Sequence, residues 1–359
     1  MNAPTNKTSD HRDGRSLSIL GCLLGTAIGD ALGLPTEGMS RKRAMRFHHS
    51  QLGHRLFFGR GMFSDDTEHT LMVATALMRH PHDPAAFQRS LGRSLRWWLL
   101  ALPAGVGLST AKAILRLWLG FPTSRAGVLS AGNGAAMRSA ILGAVFSGDS
   151  EKRRAFTLAA CRLTHTDPRA EESALLVAEA AAAATNGEQT PQILEHLHSL
   201  ITSPEMEDRF AKLVTALESQ NTVAEYASAI GCERGVSGFA PNTVSVALYA
   251  WLRHRGNFKQ VLTEVIACGG DTDTVAAIAG GICGAETAEA DIPTAWLNGV
   301  CDWPRSITYI RQIAETLPLR LADSKTPIPH LATLMLLPRN LLFLGIVLTH
   351  GFRRLLPPY

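Results

Sequence analysis

The sequence predicts an all-α fold in one compact domain, on three observations. Apolar residues recur at three- and four-residue spacing in many segments, the period of a helix with one buried face. Alternating strand patterns are nearly absent. Alanine-rich faces separated by glycine and proline, with only 6% aromatic residues, describe helices that pack closely and turn sharply between one another. With 46% apolar and 18% charged residues among 359, the chain can bury a substantial core, and no break in composition marks a linker.

Residues 1–15 are polar and without periodicity, and read as a flexible N-terminal segment. The domain spans 16–325, where the helical period covers Thr67–Met78, Pro84–Leu100, Ala135–Val145, Ala170–Ala184, Glu207–Leu217, Val244–Leu252, Phe258–Ala267 and Val275–Ile282. The apolar stretch Leu17–Ile28 follows Lys7, Arg12 and Arg15, and so superficially resembles a signal peptide. Asp10 and Asp13 dilute its positive end, and it runs straight into Gly29-Asp30-Ala31-Leu32-Gly33, so it is read as part of the domain. Residues 326–359 form an apolar helical tail in two pieces, Leu331–Leu337 and Leu341–Leu348, split by Pro338-Arg339-Asn340. Neither piece reaches the about 20 residues that cross a bilayer. The tail therefore reads as a helical hairpin docked on the body or on a second subunit. Its alternative is a peripheral membrane contact, with Arg339, Arg353 and Arg354 at the headgroups.

A balance of 35 basic to 31 acidic residues leaves too small a surplus to imply nucleic-acid binding as the main task. Six scattered cysteines without a CxxC pair point to a reducing, cytoplasmic compartment. The basic run of Arg41, Lys42, Arg43, Arg46, His48, His49, His54 and Arg55 reads as a solvated loop, or else as a docking rim for an acidic protein or a pyrophosphate.

The chemistry lies in two acidic clusters, Ser64-Asp65-Asp66-Thr67 and Asp271-Thr272-Asp273-Thr274, each placed where an apolar helix begins. Alone, Asp65 to Glu68 is a capping box, and Asp271 is a helix cap. Together they supply more than caps need, because each sets two carboxylates beside a hydroxyl, and adjacent like charges are offset by a cation. Oxygen-only donors suit magnesium or manganese, whereas zinc would want sulfur or imidazole. An EF-hand loop fails, since the sixth position from Asp271 is Ala276 and the twelfth is Ile282. There is no P-loop, GxGxxG, HExxH or GxSxG. Gly269-Gly270 allows a sharp turn ahead of Asp271, and Gly132-Asn133-Gly134 offers backbone N–H groups suited to a diphosphate.

Gly29-Asp30-Ala31-Leu32-Gly33 with Glu37, Ser64-Asp65-Asp66-Thr67, Gly132-Asn133-Gly134-Ala135-Ala136-Met137-Arg138, Leu163-Thr164-His165 and Gly269-Gly270-Asp271-Thr272-Asp273-Thr274 follow one another across residues 20–285. In that combination the chain resembles the ADP-ribosylglycohydrolase family, that of the dinitrogenase reductase-activating glycohydrolases and ADP-ribosyl-acceptor hydrolases. The resemblance implies an orthogonal helical bundle with two divalent cations, Mg2+ or Mn2+, that removes ADP-ribose from a modified protein, with arginine N-linked acceptors first and serine O-linked ones second. Carried over, Ser64, Asp65 and Asp66 would hold one ion, Asp271 and Thr274 the other, and Asp273 would bridge. Glu37, Asp273 and Asp30 would make up the catalytic set, with Glu37 as a ligand or as the carboxylate that handles the water's proton, and Asp30 supporting the shell. Gly132, Asn133 and Gly134 would cradle phosphate or ribose, and His165 would line the nucleotide cleft. Ser64 stands where family members more often carry threonine, and keeps the hydroxyl and carbonyl. The resemblance leaves the oligomeric state open. Two rival readings share these residues: a protein that binds ADP-ribose or neutralises an ADP-ribosylating toxin without turnover, and a metal-dependent phosphoester hydrolase.

Overall fold

The computed structural model describes residues 7–48 and 51–354. The first half carries α1 (Lys7–Gly33), α2 (Arg41–His48), α3 (Asp65–Arg79), α4 (Pro84–Leu100), α5 (Leu108–Trp118), α6 (Thr123–Ala126), α7 (Ala140–Val145), α8 (Ser150–Arg162) and α9 (Pro168–Asn186). The second carries α10 (Thr190–Ser199), α11 (Pro204–Glu218), α12 (Val223–Ala229), α13 (Ala240–Arg253), α14 (Phe258–Ala267), α15 (Thr272–Thr287), α16 (Thr294–Gly299), α17 (Ile307–Ala322) and α18 (Leu336–Arg353). Among the described residues there is no strand, only isolated bridges between loops. The fold is all-α, with its main buried core running from Ile19 to Leu317.

Four local readings of the sequence change. The helix expected over Ala135–Val145 is a 3-10 turn, Ala136–Arg138, followed by the short α7. Ser139 causes the break, because its hydroxyl donates to Ala135 O (2.9 Å) and its N–H to Ala136 O (3.0 Å), displacing the bond that a continuous helix would make. α1 begins at Lys7, upstream of Ser16, since each residue added to an anchored helix gains one backbone bond; residues 1–6 lie outside the described residues. The run from Arg41 to His48 is helix α2 rather than a loop. Ala44 and Phe47 form its buried face, Arg41 donates to Ser228 Oγ (2.8 Å) and Cys232 O (3.1 Å), and Arg55 donates to Phe47 O at its end (2.8 Å). His49 lies outside the described residues. The tail, finally, is not a hairpin. Pro338 is the third residue of α18, where a backbone N–H has no intrahelical acceptor to lose, so one helix runs through it.

α1 and α15 make the most extensive helix contact in the molecule. Gly21, Gly25, Gly29 and Gly33 recur every fourth residue and so lie on one face of α1. A Cβ on Gly21, Gly25 or Gly29 would stand 2.0 Å from the carbonyl oxygen of Gly284, Gly280 or Ala276 respectively, and one on Gly33 2.4 Å from that of Thr272. The descending order of partners shows the helices to be antiparallel and touching backbone to backbone. The apolar stretch Leu17–Ile28 therefore belongs to the core, with Ile19, Leu23, Leu24, Ala27 and Ile28 buried. The same pairing sets the C-terminal end of α1, carrying Asp30 and leading to Glu37, beside the N-terminal end of α15. Thr272 locks the junction by donating from Oγ1 to Gly33 O (2.8 Å).

α18 lays Phe343 and Ile346 against Leu34, Leu56 and Met62. From the same side Arg339, 2% exposed, donates to Asp302 Oδ1 (2.9 Å) and Phe63 O (2.6 Å), pairs also with Asp302 Oδ2, and lies 3.5 Å from Glu68. Its far face is exposed.

Gly25→Ala should cost about 3 kcal/mol in urea unfolding, because the methyl has a carbonyl oxygen where it must go. Gly345→Ala, in α18 with nothing within 4 Å, should raise stability by up to about 1 kcal/mol. Equal effects at the two positions would mean that α1 and α15 do not touch at their backbones.

Candidate metal centre

Asp30 organises the first cluster from behind. Fully buried on α1, its carboxylate accepts from Ser64 N at 3.0 and 2.9 Å, from Thr67 N at 3.1 Å and from Thr67 Oγ1 at 2.5 Å. Burial pushes its pKa up to about 6 in spite of these bonds. They fix the first turn of α3, whose N-cap is Ser64. The capping box expected from Asp65 to Glu68 is not formed. Glu68 turns inward instead, accepting from Trp98 Nε1 (2.5 Å) and pairing with Arg305 (2.5 Å). Asp65 and Asp66 are thereby left for the cleft.

The second cluster hangs on Gly269 and Gly270, both in the left-handed region at φ 70° and 84°. A Cβ on Gly270 would lie 2.0 Å from Val236 O. Gly38 N donates to Gly270 O (2.7 Å), Gly270 N to Met39 O (2.7 Å) and Asp271 N to Val236 O (2.8 Å), so three loops meet at this turn. Asp271 is the N-cap residue of α15, yet its side chain caps nothing and accepts instead from Asn133 Nδ2 (2.6 Å). The two clusters touch. Asp66 Oδ2 accepts from Ser64 Oγ (3.1 Å) and from Thr274 Oγ1 (3.3 Å), across 208 residues of chain.

Carboxylates outnumber cations here, Arg354 standing beside Glu37 and donating to its backbone oxygen (2.6 Å). Oxygens of Glu37, Asp271 and Asp273 lie within 4.8 Å of one another. Glu37 stands at the mouth, where partial withdrawal from water and the neighbouring Asp271 push its pKa up to about 7. Burial, reinforced by the surrounding carboxylates, holds Asp65, Asp66 and Asp273 well above the usual range. Nearby buried arginines are committed elsewhere: Arg339 to Asp302 and Glu68, Arg138 to Thr164 Oγ1 (2.5 Å) and Ala160 O (2.8 Å). Asp66 Oδ1 is buried and has no hydrogen-bond partner. An all-oxygen donor set, an orphaned carboxylate oxygen and uncompensated negative charge fit hard divalent cations.

The centre opens into a cleft of about 260 Å³, whose lining includes Glu37, Asp65, Asp271, Asp273 and Thr274 together with Gly132, Asn133, Gly134 and His165. All these predicted residues converge, and Ser64 and Asp66 lie just beneath. Part of the N–H capacity of the glycine turn is spent within the protein. Gly132 N donates to Ser130 Oγ (3.2 Å) and Asn133 N to Gly238 O (3.0 Å). What the turn presents is a bare surface next to the His165 ring, which a Cβ on Gly134 would meet at 3.1 Å. Burial and the Arg138 charge drive the His165 pKa down to about 3, so the ring is neutral. Sequence reasoning missed Gly105, Gly107, Leu108, Ser109, Thr110, Met137 and Gly238 in the lining. Gly105-Val106-Gly107 was the visible signal of a loop there.

The sequence model of the ADP-ribosylglycohydrolase family matches residues 11–327. The chain belongs to the ADP-ribosylglycohydrolase family. An uncharacterized protein of Archaeoglobus fulgidus is 31% identical over 291 residues, covering 78% of this chain and 90% of its own. The ADP-ribosyl-[dinitrogen reductase] glycohydrolase of Rhodospirillum rubrum is 26% identical, over 78% of this chain and 88% of its own. The ADP-ribosylhydrolase ARH3 of Gallus gallus is 26% identical, over 77% and 87%. A solved ADP-ribosylglycohydrolase-related protein complex superposes with a TM-score of 0.62 at 26% identity, over 86% of this chain and 98% of the other. As an ADP-ribosylglycohydrolase, the chain is a hydrolase of ADP-ribosylated substrates, and Glu37, Asp66 and Asp273 all lie inside the matched region.

Carboxyls whose pKa is raised on folding keep protons that the unfolded chain has released. Their contribution to stability is present at low pH and is lost as pH climbs through about 6 for Asp30 and about 7 for Glu37. A cation replaces those protons and offsets the repulsion. The rise in Tm on adding Mn2+ to chelator-treated protein should therefore grow between about pH 5 and about pH 8. A shift that shrinks over this range would count against the cluster as a cation centre.

Proposed function

We propose that this family member hydrolyses the ribosyl C1 bond joining ADP-ribose to a protein side chain, with arginine N-linked acceptors first and serine O-linked ones second. The observation that carries this reading is the convergence of Glu37, Asp65, Asp271 and Asp273, with Asp66 just beneath, in one cleft that Asn133 and His165 also line. The activities for which the Rhodospirillum rubrum and Gallus gallus relatives are named support the substrate class. Ser64, Asp65 and Asp66 are assigned to one Mg2+ or Mn2+, Asp271 and Thr274 to the other, and Asp273 to both. Such cations, when bound, orient the ribose hydroxyls and acidify water.

The remaining roles belong to the chain. Glu37, at the mouth and with a pKa near the working range, is placed to take the proton of the attacking water. Asp30 cannot share that task, because both its oxygens are held by Ser64 and Thr67; it positions the first turn of α3. Asn133 anchors Asp271, and neutral His165 adds a flat wall for the nucleotide without repelling a metal ion. Cleavage proceeds through an oxocarbenium-like state, which the ring of carboxylates at the centre stabilises electrostatically. A cytoplasmic location is proposed on the six free cysteines, five of them buried.

Mass spectrometry of arginine-, serine- and nucleic-acid-linked ADP-ribose, with and without Mn2+, tests the reading. Free ADP-ribose should appear from the arginine-linked substrate only with the cation. Asp271→Ala and Asp273→Ala should abolish release, while Glu37→Gln should retain Mn2+ and lose about 10²- to 10⁴-fold in kcat. Full activity after chelation would refute the metal mechanism, and tight ADP-ribose binding with no release would mark a binding protein instead.

A further inference from the structure

Between Asp83 and Asp149 the chain holds no aspartate or glutamate, and none follows Asp323. Those two runs carry α4, α5 and α18, joined where α4 ends. Trp97 and Trp118, 64% and 42% exposed, stand edge to face at 6.0 Å, and the Arg96 guanidinium lies 5.4 Å over Trp118. Along the same side of α4, Arg89, Arg93 and Arg96 line a groove of about 470 Å³. Asp83 approaches only Arg89 among them, at 3.9 Å. At the end of α4, Ala101 O accepts from Asn340 Nδ2 of α18 (2.8 Å). From that junction Leu337, Leu341, Leu344, Leu348 and Phe352 follow at helical spacing on the outer face of α18, each at least 36% exposed. No charged side chain interrupts them, since Arg339 points inward.

We propose that this acid-free face binds peripherally to an anionic lipid surface. Leucine and phenylalanine would enter the acyl boundary, tryptophan would sit at the interface, and the arginines of the groove would meet headgroup phosphates. Charge decides against a second copy of the chain as occupant. A second copy brings to this face only the same acid-free segments, with no carboxylate among them for the arginines, whereas an anionic leaflet complements them. The helix does not cross the bilayer. Thr333–Arg353 is long and apolar enough, but Arg339 is locked to Asp302 and Glu68 inside the body, and withdrawing it would bare all three charges. Leu108, the first residue of α5, lines the cleft, and Arg354, just past α18, donates to Glu37 O (2.6 Å).

Co-sedimentation of the full chain with vesicles of phosphatidylcholine, alone or mixed with phosphatidylglycerol, tests this, alongside light scattering of the free protein. Binding is expected to the mixed vesicles only. Arg89→Gln, Arg93→Gln and Arg96→Gln together should lower the partition coefficient roughly a hundredfold. Leu341→Glu with Leu348→Glu should abolish binding, while an unchanged Tm and Mn2+ affinity report an intact fold. Equal partition onto both vesicle types, or none onto either, overturns the proposal. A dimer that Leu341→Glu with Leu348→Glu dissolves, in a protein that ignores vesicles, assigns the face to a second copy.

Discussion

Backbone contact between α1 and α15 is the constraint on which the rest of the molecule depends. Two helices carrying ordinary side chains pack about 8–10 Å apart; glycine at every fourth position of α1 removes the side chains that would hold α15 away. The gain in closeness has a chemical consequence. Asp30 on α1 and Asp273 on α15 come to flank one point, and the loops that leave these helix ends carry Glu37 and Asp271 to the same place. Asp30 then passes the order on to α3 through the bonds it accepts from Ser64 and Thr67. A carboxylate cluster assembled from distant segments, suited to a metal ion, is in this sense a by-product of one helix pair.

The assembled centre is electrostatically unfavourable by itself. Helix N-termini favour carboxylates, so the starts of α3 and α15 accommodate Asp65, Asp66, Asp271 and Asp273 better than any other backbone would. That help is of order 1 kcal/mol per helix and does not cancel the mutual repulsion that raises these groups' pKa values. Direct ligation to a cation supplies much more than a helix dipole. The protein carries a locally destabilised cluster because the surrounding core, continuous from Ile19 to Leu317, is large enough to hold it.

The acidic clusters were legible in the sequence because metal ligation demands particular atoms, and Ser64-Asp65-Asp66 and Asp271-Thr272-Asp273 display them side by side. Helices with strong periodicity were legible too: Pro84–Leu100 and Phe258–Ala267 fall on α4 and α14 to the residue. What escaped depended on partners far along the chain. The N–H of Asn133 is free or spent according to where Gly238 lies, and Glu68 caps its own helix or not according to Arg305 and Trp98. Pro338 looked like a breaker because its effect turns on where the helix starts, and Leu336 starts it two residues earlier. The glycine period of α1 was in plain view, but it acquires meaning only once α15 is set against it.

Arg339 lies beyond the stretch that matches the family, yet its guanidinium holds Phe63 O, the carbonyl immediately before Ser64. The appended helix is thus wired into the ligand loop through a single peptide unit. A change in α18 therefore bears on the loop ahead of Asp65 from outside the stretch that the family model matches.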